Sequence, residues 1–95
     1  MRVFLDDERP TPPGWARVYT VEATISILKS GMVTHLSLDN DLGESQQEGY
    51  KVVDWIEEQC VVNGFIPPKI MEVHSANPSR AEYMRKVIER IYARE

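Results

Sequence analysis

The hydrophobic pattern divides the chain into short apolar runs and longer segments in which apolar residues recur at helical spacing. Runs of three to five residues that end at polar or turn-forming positions are typical of buried strands. Four such runs predict strands over residues 3–5, 15–19, 34–38 and 70–73. The first run is followed at once by an acidic turn, which is typical of a central strand.

Three segments between and after these runs predict amphipathic helices, because their apolar residues repeat every three or four positions. Their boundaries are marked by capping and helix-ending residues: Thr20 and Gly31, Gly49 and Gly64, and Asn77 followed by Pro78. Their apolar stripes contain Val21, Ile25 and Leu28; Val52, Val53, Ile56 and Cys60; and Ala81, Met84, Val87, Ile88 and Ile91.

The order strand, strand, helix, strand, helix, strand, helix predicts a four-stranded, mostly parallel sheet in an α/β fold with three helices. The link between the first two strands is the exception. It holds only about nine residues and is rich in proline, whereas a helical crossover needs about a dozen or more. An extended loop can span that distance. We therefore expect a parallel second strand at an edge, with an antiparallel one as the alternative.

Length, composition and charge indicate a single globular domain and argue against some classes of function. The 95 residues fit one domain, residues 1–95, with 42% apolar and 27% charged residues. A net charge of −4 argues against general duplex nucleic-acid binding but leaves room for a small phosphate or a nucleic-acid end. The chain has neither a signal-like start nor an apolar run long enough for a membrane, so we expect a cytoplasmic protein.

Acidic residues follow two of the predicted strands. Asp6 and Asp7 come after the first strand, and Asp39 and Asp41 come after the third. Since the carboxyl ends of parallel strands converge, these side chains are expected to share one crevice. Carboxylates suit Mg²⁺ or Mn²⁺, so we expect a metal site formed by Asp6, Asp7 and Asp39, with Asp41 either as a further ligand or as the cap of the turn before Gly43. The alternative is a solvated acidic turn.

The last predicted strand also ends in polar residues, His74 and Ser75. A histidine at this place can serve as a catalytic general acid or base, and a serine hydroxyl can hold a phosphate oxygen. The alternative is that His74 packs against the sheet and Ser75 only starts a turn.

Arg9 and Asn77 are the other candidates for binding phosphate. Arg9 comes directly after the first acidic cluster, and a guanidinium can hold a phosphate through two hydrogen bonds. A salt bridge from Arg9 to Glu8 or Asp41 is the competing interpretation. Arg80, in the first turn of the last predicted helix, can assist in binding an anion.

Two of these segments resemble bacterial receiver domains of response regulators. Residues 5–8, Leu-Asp-Asp-Glu, resemble the acidic pair of the first receiver strand, and residues 38–43 resemble the phosphoacceptor segment. The resemblance implies a small flavodoxin-type, three-layer sandwich. It also implies Asp39 as the counterpart of the phosphorylated aspartate, with Asp6 and Asp7 as Mg²⁺ ligands.

The chain departs from the receiver pattern in two ways. A proline-rich loop replaces the helix that follows the first receiver strand, and the final strand–helix unit with its lysine has no counterpart. Ser75 and Ala76 do match the hydroxyl residue and small residue that end the fourth receiver strand. Without the lysine, phosphate-driven signal relay is not expected.

A closer resemblance is to the cyclic-phosphate processing receiver-like domain family. Its three sequence blocks are matched by residues 5–9, 37–43 and 73–77. The resemblance implies a metal-dependent phosphoesterase that acts on a cyclic or terminal phosphate of a nucleotide or an RNA end.

In that hypothesis Asp39 is a metal ligand or the nucleophile, and His74 protonates the leaving oxygen. Arg9, Ser75 and Asn77 hold phosphate oxygens. The alternative function is that of a degenerate receiver domain, which senses phosphate or metal as a non-enzymatic interaction module with an unknown protein partner.

Overall fold

The regular elements follow the predicted order. The computed structural model describes residues 1–44 and 46–94, and within these it contains four strands and three helices. The strands are β1 (Arg2–Leu5), β2 (Ala16–Val18), β3 (His35–Leu38) and β4 (Ile70–Val73); the helices are α1 (Val21–Leu28), α2 (Tyr50–Asn63) and α3 (Pro78–Ala93). The predicted α/β class is therefore confirmed.

All four strands are parallel, in the spatial order β2-β1-β3-β4. Residues 6–15 lead from the end of β1 back to the start of β2, which pairs with β1 at the edge of the sheet. Asp6 N extends this pairing by donating to Val18 O. The parallel edge strand expected from the sequence is confirmed, because an extended loop is long enough to make the crossing.

The hydrophobic core lies between one face of the sheet and the helices. Val3 and Leu5 of β1 and Leu36 and Leu38 of β3 point into it, each with 0% exposure. All three helices add buried residues to the same cluster: Val21, Leu28, Val52, Val53, Ile56, Met84, Val87 and Ile91. Since strand side chains alternate between faces, this shared cluster places the three helices on one face. The described residues therefore form two layers, one of strands and one of helices, and not the three layers implied by the receiver resemblance, because a proline-rich loop takes the place of the helix that follows the first receiver strand.

The opposite face of the sheet is covered by aromatic and polar side chains rather than by helices. The β1–β3 register places Phe4 beside Ser37 on this face, and both residues are 7% exposed. The Phe4 ring is parallel to the imidazole of His74, with ring centroids 4.5 Å apart, and meets the Trp15 ring edge-on at 6.4 Å. Aromatic packing thus shields the part of this face that adjoins the polar strand ends.

The starts of α1 and α3 follow the predicted capping residues, whereas α1 ends at Leu28, before the expected Gly31. The Thr20 hydroxyl accepts a hydrogen bond from Ala23 N, and the Asn77 side chain accepts one from Arg80 N. α2 ends at Gly64, whose left-handed backbone suits glycine. No helix in the described residues is long and apolar enough to cross a membrane.

We predict that Gly49→Ala destabilises the fold because of where α2 packs. A Cβ at Gly49 would overlap the backbone carbonyl of Asp39, so the end of β3 would have to move. Gly31→Ala is the matched control: a Cβ there meets open space, and only its left-handed backbone (φ 75°) adds a cost of about 1–2 kcal/mol. Urea denaturation should show the larger loss of unfolding free energy for Gly49→Ala, and equal losses would contradict this account.

Candidate functional site

The carboxyl ends of the strands form a small acidic cavity. Asp6, Asp39 and His74 directly follow β1, β3 and β4, as expected for ligand-binding residues of a parallel sheet. The cavity has a volume of about 210 Å³. It is lined by Asp6, Glu8, Arg9, Asp39, Asp41 and Ala76.

Asp6 is the most buried carboxylate of the site, with 1% exposure. Its Oδ1 accepts hydrogen bonds from Glu8 N (2.8 Å) and Arg9 N (2.9 Å). Its Oδ2 lies 3.0 Å from both Arg9 Nη1 and His74 Nε2. Burial alone would raise the pKa of Asp6, but the hydrogen bonds outweigh it and lower that pKa to about 2. Asp6 is therefore ionised, with both oxygens engaged.

His74 connects this carboxylate to the covered face of the sheet. Its Nε2 faces Asp6, and its Nδ1 lies 2.7 Å from the Ser37 hydroxyl. Because an ionised carboxylate only accepts, Nε2 must carry the proton that it donates to Asp6. In this arrangement His74 directs its Nε2 proton toward Asp6. The general-acid role expected from the sequence stays a prediction.

Asp39 occupies the end of the central strand β3 and is 7% exposed. Its Oδ1 accepts from Asn40 N at 2.8 Å, and its Oδ2 lies 3.7 Å from Arg9 Nη1. Burial raises the pKa of Asp39, and the negative charge of Asp6 adds to this effect. The hydrogen bond from Asn40 and the positive charge of Arg9 oppose it only in part.

Arg9 lies between the two buried carboxylates. It pairs with Asp6 and Asp39, not with Glu8 or Asp41 as the competing sequence interpretation suggested. Its side chain remains 44% exposed, so the guanidinium lies at the mouth of the cavity. This position leaves the guanidinium accessible to a ligand.

Asp7 completes a group of three carboxylates with Asp6 and Asp39. One oxygen from each lies within 4.8 Å of the others. The loop after β3 approaches this group at Gly43, where a Cβ would be 3.7 Å from Asp7 Oδ2 and where φ is 110°. The three aspartates lie together, as expected from the sequence, and a metal bound by them stays a prediction.

Of the remaining candidates, Asp41 lines the cavity, and Ser75 and Asn77 make local contacts before and at the start of α3. Asp41 Oδ1 is 3.1 Å from Asn40 Nδ2 and 3.5 Å from Asn77 Nδ2. Ser75 Oγ accepts from Asn77 N, while Asn77 Oδ1 caps α3 through Arg80 N. Ser75 and Asn77 therefore help to start the helix, and phosphate binding by them stays a prediction.

The sequence interpretation missed two buried polar residues, Asn40 and Ser37. Asn40 is 0% exposed, accepts from Tyr50 N through Oδ1 and donates through Nδ2 to Glu48 Oε1 at 2.9 Å. It thereby ties the β3 end to the start of α2. Ser37 contacts His74 as described above. The available signal for Ser37 was its position between the buried residues Leu36 and Leu38, whereas Asn40 lies beyond the strand and carried no such signal.

Comparison with protein families gives a match over nearly the whole chain. A family model described as "Cyclic-phosphate processing Receiver domain" matches residues 1–90, which include every candidate site residue. No curated protein and no solved structure matched the chain.

We predict that Asp6→Asn lowers the unfolding free energy most at neutral pH. The pKa of Asp6 is lowered, so its charge stabilises the fold fully above the ordinary pKa of 3.8, and this contribution is lost as the pH falls toward 2. The shift corresponds to about 2 kcal/mol at pH 7 and to about half of that at pH 3.

Denaturation of wild type and Asp6→Asn at both pH values measures this difference. Asp41→Asn serves as the control, since Asp41 is exposed and its removal should change stability by less than about 0.5 kcal/mol. A difference between wild type and Asp6→Asn that grows on acidification would contradict the assignment.

Proposed function

Because the chain belongs to the cyclic-phosphate processing receiver domain family, we propose that its acidic cavity is a metal-dependent phosphoesterase site. The substrate class is a cyclic or terminal phosphate of a nucleotide or an RNA end. The observation that carries this proposal is the placement of Arg9 between Asp6 and Asp39 at the mouth of the cavity. A guanidinium so placed offers hydrogen-bond donors to a phosphate while carboxylates remain close to the reacting atoms.

The charge of the cavity supports a requirement for a cation. Four of its lining residues are carboxylates (Asp6, Glu8, Asp39 and Asp41), and the one guanidinium among them is that of Arg9. A phosphate entering such a cavity would meet a net negative charge and be repelled. Oxygen donors of this kind suit Mg²⁺ or Mn²⁺. The donor set therefore fits a divalent cation.

Asp7 and Asp39 are the residues best suited to hold the cation. Both oxygens of Asp6 already accept hydrogen bonds from Glu8, Arg9 and His74. Asp6 would therefore attract the cation by its negative charge while keeping its own hydrogen bonds, and it would not coordinate the cation directly. A bound cation would polarise the phosphoryl group and lower the pKa of a water molecule.

Arg9 and Asp39 have separate roles in the proposed chemical step. Arg9 binds a non-bridging phosphate oxygen and stabilises the charge that develops there. Asp39 either orients the attacking water or attacks phosphorus itself, giving an aspartyl phosphate that water then hydrolyses. In both routes a new P–O bond forms, the ester P–O bond breaks, and the leaving oxygen takes up a proton from water.

His74 acts in this scheme through Asp6. Its Nε2–H is donated to Asp6 Oδ2, so the imidazole fixes the carboxylate that in turn holds Arg9. The same observation favours the second candidate function, a phosphate- or metal-sensing module without catalysis, because no free histidine proton is directed into the cavity. Turnover distinguishes the two functions.

We predict turnover of 2′,3′-cyclic nucleotides by the wild-type protein with Mg²⁺ or Mn²⁺. Asp39→Asn and Arg9→Ala should each reduce the rate by about 100-fold or more. The first removes a cation ligand and the group that orients the water or attacks phosphorus, and the second removes the positive charge that stabilises the phosphate oxygens. Lys86→Ala is the control, because Lys86 pairs with Glu82 on the exposed surface of α3 and should not affect the rate.

The assay is product formation over a panel of cyclic nucleotides and phosphomonoesters. Absence of turnover throughout the panel would reject the phosphoesterase, and calorimetric titration with inorganic phosphate would then test the sensing module. Transient phosphorylation in an acid-quenched sample, absent from Asp39→Asn, would select Asp39 as the nucleophile over its role in orienting water.

We predict that Mg²⁺ or Mn²⁺ raises the melting temperature of the wild-type protein. At ten times the dissociation constant, binding adds about 1.4 kcal/mol, or roughly 5–10 °C for a domain of this size. Asp7→Asn and Asp39→Asn should abolish the rise, whereas Asp41→Asn should keep most of it. The shift is compared within each variant, so differences in basal stability cancel. An equal rise in all variants would place the cation elsewhere.

A further inference from the structure

Ser37 lies outside the cavity, yet its hydroxyl contacts the histidine that holds Asp6. We propose that Ser37 is a positioning residue that fixes the tautomer and ring orientation of His74, so that the imidazole donates from Nε2 to Asp6. This inference does not depend on the proposed function, since it concerns the hydrogen bonding of the free protein.

The position of Ser37 follows from the sheet. It lies in the middle of β3 on the face opposite the helices, opposite Phe4 in the register, and is 7% exposed. Its Oγ is 2.7 Å from His74 Nδ1, the shortest contact of the imidazole. A buried hydroxyl needs a hydrogen-bonding partner, and Nδ1 provides one.

The imidazole is constrained from three sides. Phe4 lies against its flat surface, with ring planes 1° apart, and so fixes the plane of the ring. Within that plane, the hydrogen bonds of Nδ1 with Ser37 and of Nε2 with Asp6 determine which way the two ring nitrogens face. A half-turn of the ring would replace both nitrogens by carbons, and both contacts would be lost together.

The donor and the acceptor of each hydrogen bond of His74 can be assigned in turn. Asp6 already accepts hydrogen bonds from Glu8 N, Arg9 N and Arg9 Nη1, so its contact with His74 is also that of an acceptor and Nε2 is the donor. In the tautomer with its proton on Nε2, Nδ1 is an acceptor and the Ser37 hydroxyl donates to it. The result is a continuous hydrogen-bonded chain from Ser37 through His74 and Asp6 to Arg9. Ser37 thus influences the cavity without lining it.

Nitrogen-15 NMR of the imidazole tests this directly. At about pH 8.5 the wild-type protein should show a protonated Nε2 and an unprotonated Nδ1 for His74. The Nε2–H proton should exchange slowly with solvent, because it is held by a buried carboxylate. If Nδ1 carries the proton instead, the proposal is overturned without reference to any variant.

A matched pair of variants tests the hydroxyl itself. Ser37→Thr keeps the hydroxyl and Ser37→Val lacks it, while both have the same branched shape and favour a strand. We expect Ser37→Thr to retain the slowly exchanging proton. In Ser37→Val it should exchange about 5–10 times faster, the factor that corresponds to a lost hydrogen bond of about 1 kcal/mol.

Ser30→Ala is the control for a serine on the surface, where its hydroxyl donates to Ile27 O, and it should leave the His74 signal unchanged. Equal protection in Ser37→Val and Ser37→Thr would mean that Asp6 and Phe4 suffice, and it would overturn the positioning role. If Ser37→Val does not fold, the wild-type tautomer and the protection retained in Ser37→Thr decide the question.

Discussion

The site is organised by one physical constraint: the negative charge of Asp6 is buried and must be compensated. An ionised carboxylate with 1% exposure is stable only when hydrogen-bond donors surround it. Two backbone N–H groups, the Arg9 guanidinium and the His74 imidazole supply them. Meeting this requirement fixes the turn after β1, the position of Arg9 and the orientation of His74 together.

The one-sided packing of the helices explains how His74 reaches Asp6. All three helices pack against the sheet face that carries Val3 and Leu5. The other face is left to the side chains of Phe4, Ser37 and His74, which stack and hydrogen-bond among themselves. The proline-rich loop after β1 ends in Trp15, which extends this aromatic cover. The hydrogen bonds that join Ser37, His74 and Asp6 thus run along this face of the sheet and end in the cavity.

Much of the fold and of the site was predictable because the signals are local. Thr20 and Asn77 are at helix starts as expected, since a capping side chain bonds to the backbone three residues later. Convergence of Asp6 and Asp39 followed from the parallel arrangement, which brings strand ends to one edge. The partners of Arg9 did not follow, because Glu8 is adjacent in sequence whereas the ion pairs of Arg9 are made with Asp6 and, through the fold, with Asp39.

By itself, the sequence determined the order and type of the elements, a mostly parallel sheet, and the set of acidic residues at its carboxyl edge. These depend on hydrophobic period, capping and chain connectivity, which act over a few residues or through topology. The direction of the second strand was decided by the structure. Only the tertiary structure decided how the polar groups pair. The contact of Ser37 with His74 spans 37 positions and that of His74 with Asp6 spans 68. Such pairings depend on strand register and on the burial of one charge, and neither is encoded in a local pattern.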